Sequence, residues 1–462
     1  MPSASPPRAA LTRRQLLALT AAAALPRCLR FEGSRPPPFP AVLPALTPWP
    51  EANQLLSAIA VPVFPTATWP VADAGARGDG RTDDTDAFQS AIAACSAAGG
   101  GHVTVPAGAW LVGALRLLSN VDLNLAAGAT LLFSGDARRY PPVFTRYEGI
   151  ECVNHSPLIY AYGESNLALT GSGVLDASRT VEWNTGSDRE GLLEPLVAQG
   201  ALPTRRIVTG KLRTSFVQPY RCNTVLIQGV TLVGAQFWQL HPTLCNDVTI
   251  DGVTTTVSGG NSDGCDPESC RRVVIKQCTL ASGDDNLALK SGRDDDGRRV
   301  GVPCREIVVM NCQAEGRFGF ITMGSELSGG IQDIYAFNNW SYGNGIGSAL
   351  WIKSNRRRGG FATNINLDGL RAAGLRSAAV AVSMTYGGQD GDHPPVFDGI
   401  RLSHLDVARA PRVLDLDGLY DAPIRNVTLS NSTFTNIGDS DRIRGASQVA
   451  LSDVTVNGRR VA

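Results

Sequence analysis

Two short acidic clusters carry the residue types with the most chemical potential in this chain: Asn261-Ser262-Asp263 and Gly283-Asp284-Asp285-Asn286. A stretch of alternating apolar residues centred on Ile275 separates them. If that stretch is one strand of a stacked coil, Asp263 and Asp284-Asp285 come to lie one above the other on the same face. Three carboxylates gathered on one face suit inverting hydrolysis of an acetal. One stays protonated and donates to the leaving oxygen, and the others activate water from the opposite side, with acid and base ~6.5–9.5 Å apart. Mutual repulsion is what keeps one proton in place. The same residue types also occur in solvated turns, and a Ca²⁺ cluster is a further use for them. Asp294-Asp295-Asp296 shares its loop with Arg293, Arg298 and Arg299 and reads as solvated ion pairing.

The elements that must hold these groups are legible as a repeat. A template apolar-x-apolar-x-x-apolar recurs as Val225/Ile227/Val230, Val248/Ile250/Val253, Val273/Ile275/Cys278 and Ile307/Val309/Cys312. It returns as Ile365/Leu367/Leu370, Ile400/Leu402/Leu405 and Val449/Leu451/Val454, with weaker copies at Leu167/Leu169, Ile334/Ala336 and Val427/Leu429. First positions from Val225 step by 23, 25, 34, 27, 31, 35, 27 and 22 residues, which marks a solenoid. Period two inside each unit makes the unit a strand. Gln228-Gly229, Asp251-Gly252, Asn311, Asp368-Gly369 and Ser430-Asn431 supply the turn conformations between strands. The expected fold is all-β, a parallel β-helix.

Thr82–Ala98 predicts a helix capping the first coil. Asp83 or Asp84 is its N-cap, Phe88, Ile92 and Cys95 are its apolar stripe, and Gly99-Gly100-Gly101 is its stop. Upstream, Arg8, Arg13 and Arg14 precede the Leu/Ala stretch Leu16–Leu25, so residues 1–30 read as a twin-arginine export signal. Residues 31–68, rich in Pro and Ala, read as a lead-in, and 69–462 as one catalytic β-helix. The composition agrees: 462 residues with 49 Gly, 4 Met and 6% aromatics favour strands and turns over a helical bundle. With 42 Lys+Arg against 42 Asp+Glu there is no basic field for nucleic acid. Cys278 and Cys312 sit at apolar repeat positions and read as buried hydrophobes, with few or no disulfides expected.

The stretch NSDGCDPESCRRVVIKQCTLASGDDNLALKSGRDDDGRRVG, residues 261–301, resembles the polygalacturonase family, glycoside hydrolase family 28, in its bacterial exported branch. Residues 71–108, with Gly75-Ala76, Gly78-Asp79-Gly80 and Thr82-Asp83-Asp84-Thr85, resemble the N-terminal segment of the same pectin-active superfamily. The resemblance implies a right-handed, single-stranded parallel β-helix and inverting hydrolysis at galacturonide linkages of pectin. It implies Asp284 as general acid, Asp263 with Asp285 as the groups that hold and activate water, and Asn261 as the first residue of the family's Asn-Thr-Asp. It also keeps Lys353 as a substrate contact and sets Tyr386 where the family has a substrate-contacting tyrosine, with turn packing as the alternative. His241 is expected either to line the cleft one coil before the acids or to pack.

Two positions depart from the family's pattern. Its Gly-His-Gly is Arg317-Phe318-Gly319 here, so Phe318 replaces a histidine. Its Arg-Ile-Lys is Trp351-Ile352-Lys353, so Trp351 replaces the arginine that grips a uronate carboxylate. An indole cannot form the bidentate fork, but it stacks on an apolar sugar face. Phe318 and Trp351 are therefore expected substrate contacts of altered specificity, for rhamnogalacturonan, a decorated pectin fragment or a neutral glycoside. A Ca²⁺-dependent lyase and a non-catalytic glycan-binding β-helix are the competing readings. No cofactor and no metal site is expected, since none of the five histidines has a metal-like partner. The expected partner is a pectic polysaccharide or oligosaccharide, with no nucleic acid, no membrane after signal removal, and a monomeric state.

Overall fold

The apolar triplets stack in a single register. In a computed structural model that describes residues 43–188 and 191–461, Val225 pairs with Val248, Val248 with Val273, and Val273 with Ile307. The column continues through Ile334, Ile365, Ile400, Val427 and Val449. The second template position forms a parallel column from Leu169 and Ile227 to Leu429 and Leu451. Both columns are buried up to Val427 and Leu429, and the last rung is only partly covered because no further coil lies on it. These strands belong to a 23-stranded sheet.

A second, narrower sheet runs along the solenoid. It stacks Leu287–Leu289, Gly319–Gly324, Ser348–Lys353, Val380–Ser383, Leu414–Asp417 and Arg442–Arg444. Upstream it is extended by single bridges, Val217 to Leu240, Leu240 to Cys265, and Cys265 to Leu287. The result is a right-handed parallel β-helix, the hand that parallel crossovers take. The predicted turn residues Gly229, Gly252, Asn311, Gly369 and Asn431 all hold positive φ. A second left-handed position was not legible: Thr224, Asp247, Arg272, Glu306, Asp333 and Asn364, each one residue before a first template position, have φ of 53–58°. Non-glycine residues hold this bend because the stacked strands on either side fix it.

The capping helix, here α2, spans Thr85–Ala97 and buries Phe88, Ala91, Ile92 and Cys95 on the first coil. Each large side chain buried there stabilises the cap by roughly 1.5–3 kcal/mol. Asp84 occupies the N-cap position but turns its carboxylate to the Arg77 and Gly78 amides, while Asp83 accepts from the Thr85 amide at 3.0 Å. Within the segment read as lead-in, Pro50–Ala58 forms a helix, α1. Trp49, Ala52, Leu55 and Leu56 pack on Val274, Val308 and Tyr335 of the long sheet's outer face. The export-signal reading lies outside the described residues. Among the described residues all nine cysteines are free and buried, and no helix is long and apolar enough to cross a membrane.

One elaboration stands beside the site. Pro142–Tyr147 and Ile150–His155 form an antiparallel hairpin. Tyr147, Ile150 and Cys152 share a separate core with Leu193, Val208, Leu212, Phe237 and Trp238. The Asp294-Asp295-Asp296 run also departs from its reading as a solvated loop. It opens a helix, Asp294–Val300, in which Asp294 and Asp296 are buried. Asp296 meets Arg206 at 2.5 Å and Arg299 at 2.8 Å, and Asp294 meets Arg358 at 2.8 Å. Only Asp295 stays exposed, on Arg298. The reason is the hairpin and its neighbours, which cover this helix and bring arginines from distant coils.

Candidate active site

Asp263 and Asp285 reach the same face because Cys265 bridges Leu287, each two residues downstream. The Gly264 amide donates to the Asp285 carbonyl at 3.0 Å and locks that register. Asp284, the adjoining residue, is only half-buried while its two partners are buried. One carboxylate oxygen of each of the three lies within 4.8 Å of the other two. That is the closest approach of single oxygens and not the carboxyl-to-carboxyl separation of ~6.5–9.5 Å that leaves room for water in an inverting pair.

The surroundings of the three differ. Asp285 accepts from the Gly319 amide at 2.7 Å, from Thr322 Oγ1 at 3.0 Å and from Lys353 Nζ at 2.8 Å. Asp263 has Lys290 Nζ 3.4 Å from Oδ2, and its buried Oδ1 has no hydrogen-bond partner. Burial, with the nearby Asp284 and Asp285 charges and against the pull of Lys290, pushes the Asp263 carboxyl up to about 7. Burial and Asp285 also raise Asp284. Near neutral pH the trio thus retains a proton that separated carboxylates would have lost. A divalent cation would find ligand spacing here, but Lys290 and Lys353 already supply the compensating positive charge.

Lys353 arrives through the narrow sheet, where it pairs with Gly324. Burial works against its ammonium most strongly, but Asp285 and Tyr386 together outweigh it and raise its pKa. The ammonium lies 4.0 Å from the Trp351 ring centroid and 5.2 Å from that of Tyr386. Trp351 stacks on Phe318 at 6.3 Å with a 24° interplanar angle and meets Tyr386 edge-on at 5.8 Å. Phe318 is 43% exposed and Tyr386 36%, so these rings form an open aromatic strip beside the acids. The structure brings Asp263, Asp284, Asp285, Lys353, Trp351, Phe318 and Tyr386 together as one surface. Asn261 borders it, donating from Nδ2 to Glu148 Oε1 at 2.8 Å and accepting from Trp238 Nε1 at 3.3 Å.

His241 is a correction. It is fully buried and faces no open cleft. Its Nε2 is 2.9 Å from Glu268 and its Nδ1 is 2.9 Å from both Ser215 and Gln218. Burial lowers its pKa despite Glu268, as expected of a core histidine. Leu240 fills the solenoid core and bridges Val217 and Cys265, so alternation points His241 outward, beside Gln218 and Glu268. It is buried because the hairpin covers this face, with Thr145 on Gln218 and Arg146 on Glu268, and that cover leaves no mark on local spacing.

Several groups at the site were missed. Lys290 meets Asp263, Asp266 and Glu326 at 3.4, 3.7 and 3.2 Å, and its ammonium lies 4.3 Å from the Trp238 ring centroid. Burial acts against the Glu326 charge, but Lys290, Arg358 and Arg293 hold its carboxyl well below the usual range. Asp266, under Asp263, is raised by burial and by that neighbour. Glu148, at the hairpin tip, links Asn261 to Arg293 at 3.0 Å. Lone lysines and glutamates between motifs carry no periodic signal. Lys290 could have been sought only as the cation a buried carboxylate trio requires.

The sequence profile of glycosyl hydrolases family 28 matches residues 203–409, which include all three acids. Residues 69–139 match the profile described as rhamnogalacturonase A/epimerase, pectate lyase-like. A probable polygalacturonase of Vitis vinifera is 30% identical over 385 residues, 78% of this chain and 73% of that one. An exo-poly-alpha-D-galacturonosidase of Dickeya chrysanthemi is 27% identical over 425 residues, 83% of this chain and 66% of that one. The crystal structure of a hyperthermoactive exopolygalacturonase from Thermotoga maritima superimposes with a TM-score of 0.83 at 34% identity, over 89% of this chain and 96% of that chain. With its β-helix, its acid trio on the narrow sheet and this breadth of similarity, the chain belongs to glycosyl hydrolase family 28, whose members hydrolyse O-glycosyl bonds.

Proposed function

We propose that this enzyme hydrolyses a pectic polysaccharide or oligosaccharide with inversion, Asp284 acting as the acid and Asp263 with Asp285 holding the water. The observation that carries the reading is the contrast within the trio: one accessible carboxyl beside two buried ones. Asp284 gives its proton to the glycosidic oxygen as the anomeric C–O bond breaks. Water, bound between the unpartnered Oδ1 of Asp263 and the fully donated carboxylate of Asp285, attacks the anomeric carbon and leaves its proton on the buried pair. Export through the Arg13-Arg14 signal and action as a monomer outside the cytoplasm complete this reading.

Incubation of a homogalacturonan oligomer with the enzyme in ¹⁸O-water, followed by mass spectrometry and proton NMR, tests it. The expected product is a shortened oligomer with one ¹⁸O at its new reducing end, released first as the inverted anomer. An ultraviolet-absorbing unsaturated product would indicate elimination instead, and a retained anomer would reject the assigned roles.

The aromatic strip favours a second reading of specificity. Both lysines at the trio are committed to protein carboxylates, while Phe318, Trp351 and Tyr386 offer stacking faces. The sugar on that side of the acids is one without a carboxylate, as in rhamnogalacturonan. Trp351→Arg is expected to lower kcat/KM on a rhamnogalacturonan oligomer by about tenfold, the loss of one stacking contact, and to raise it on homogalacturonan. An unchanged ratio between the two substrates would show that Trp351 only packs.

A further inference from the structure

Away from the acid trio, a groove of about 580 Å³ opens where the narrow sheet turns into the long sheet. Its lining includes Arg221, Ser269, Arg271, Arg299 and Arg305. Ser269 lies six residues beyond Asp263, at most about 20 Å along the chain. The four arginine side chains are 38–50% exposed. Each has a carboxylate within 4.0 Å. Arg221 and Arg299 meet Glu151 at 3.3 and 2.5 Å, and Arg271 and Arg305 meet Glu306 at 2.9 and 4.0 Å.

These ion pairs do not exhaust the arginines. Each guanidinium has five N–H donors, so one carboxylate contact, or the two that Arg299 makes, leaves donors available. Around the groove Glu151 is shared with buried Arg146 as well, and Asp296 is shared by Arg299 and Arg206. Positive charge is therefore in surplus, and the arginines are already oriented, which lowers the ordering cost of binding.

The arginines follow the solenoid axis. Asn223, Asn246, Arg271 and Arg305 occupy successive rungs, with Arg221 two residues before Asn223. At about 4.8 Å per rung, the row from Arg221 to Arg305 spans roughly 14 Å. A single phosphate would meet one end of such a row, whereas a chain bearing carboxylates at intervals would meet all of it. We propose that this groove is a second binding site, separate from the acid trio, for a carboxylate-bearing oligosaccharide chain. The choice of ligand rests on the pectic reading above, and the groove would hold a distal part of the polymer or a neighbouring strand.

The full chain carrying Asp284→Asn, which slows turnover, is titrated calorimetrically with hexagalacturonate and, separately, with inorganic phosphate at low salt. Two classes of hexagalacturonate site are expected. Adding Arg271→Gln and Arg305→Gln should weaken one class by at least about tenfold and leave the other, and added salt should weaken the same class most. Arg221→Gln, paired to a different carboxylate, repeats the test at the other end, with thermal unfolding to confirm folding. One class of site unaffected by any of these substitutions overturns the proposal, as does phosphate binding the groove while hexagalacturonate does not. If the groove binds hexagalacturonate but the unmodified enzyme cleaves no galacturonide, the groove stands and the pectic reading falls. Cleavage without groove binding gives the reverse.

Discussion

Asp284→Asn is expected to lower kcat on a cleaved pectic oligosaccharide by about 10²–10⁴-fold, the range of a positioned proton donor. The amide keeps the size of the carboxyl and its hydrogen bond from the Asp285 amide, 3.0 Å in the wild type, so folding should be unchanged. It cannot deliver a proton to the glycosidic oxygen. Because that interaction forms only as the bond breaks, kcat and kcat/KM should fall together with KM nearly constant. An aryl glycoside with a leaving group that needs no protonation should lose much less. A variant within tenfold of wild type on both substrates would reassign the acid to Asp263, which burial pushes up to about 7.

Lys290→Met should have the other large effect, on stability and on the pH profile together. Removing one partner of a buried ionic cluster costs about 3–5 kcal/mol, because the carboxylates of Asp263, Asp266 and Glu326 lose their shared cation. The sign with pH follows from Asp263. Its folded pKa lies above the ordinary 3.8, so ionising it costs stability as pH rises from about 4 to about 7, and Lys290 offsets that cost. Destabilisation of the variant should therefore be greater at pH 8 than at pH 5 in denaturant melts. Since Lys290 lowers the Asp263 pKa and Asp263 must be ionised to take water's proton, loss of Lys290 should also move the acidic limb of kcat/KM upward from near pH 7. A limb that stays in place would detach Asp263 from the titration that controls activity.

Much of the molecule was readable before any coordinates. A repeated period-two template allows only stacked strands, and the columns from Val225 to Val449 run in the register those triplets implied. The acids were readable because both clusters abut template strands about one coil apart, so stacking alone brings Asp263 against Asp285. Phe318, Trp351 and Tyr386 were singled out by resemblance, but their assembly into one strip on Lys353 depends on three different coils.

What the linear order determined, then, is whatever repeats locally: the β-helix, its capping helix and the placement of three carboxylates on one face. Tertiary structure alone decided which charges those carboxylates keep company with. Lys290 reaches Glu326 across 36 residues, Lys353 reaches Asp285 across 68, and Glu148 reaches Asn261 across 113. It also covered His241 and buried Asp296, because the cover from a distant hairpin leaves no mark on local periodicity. Burial and ion pairing are properties of the packed volume, and a sequence pattern reports only what neighbours along the chain have in common.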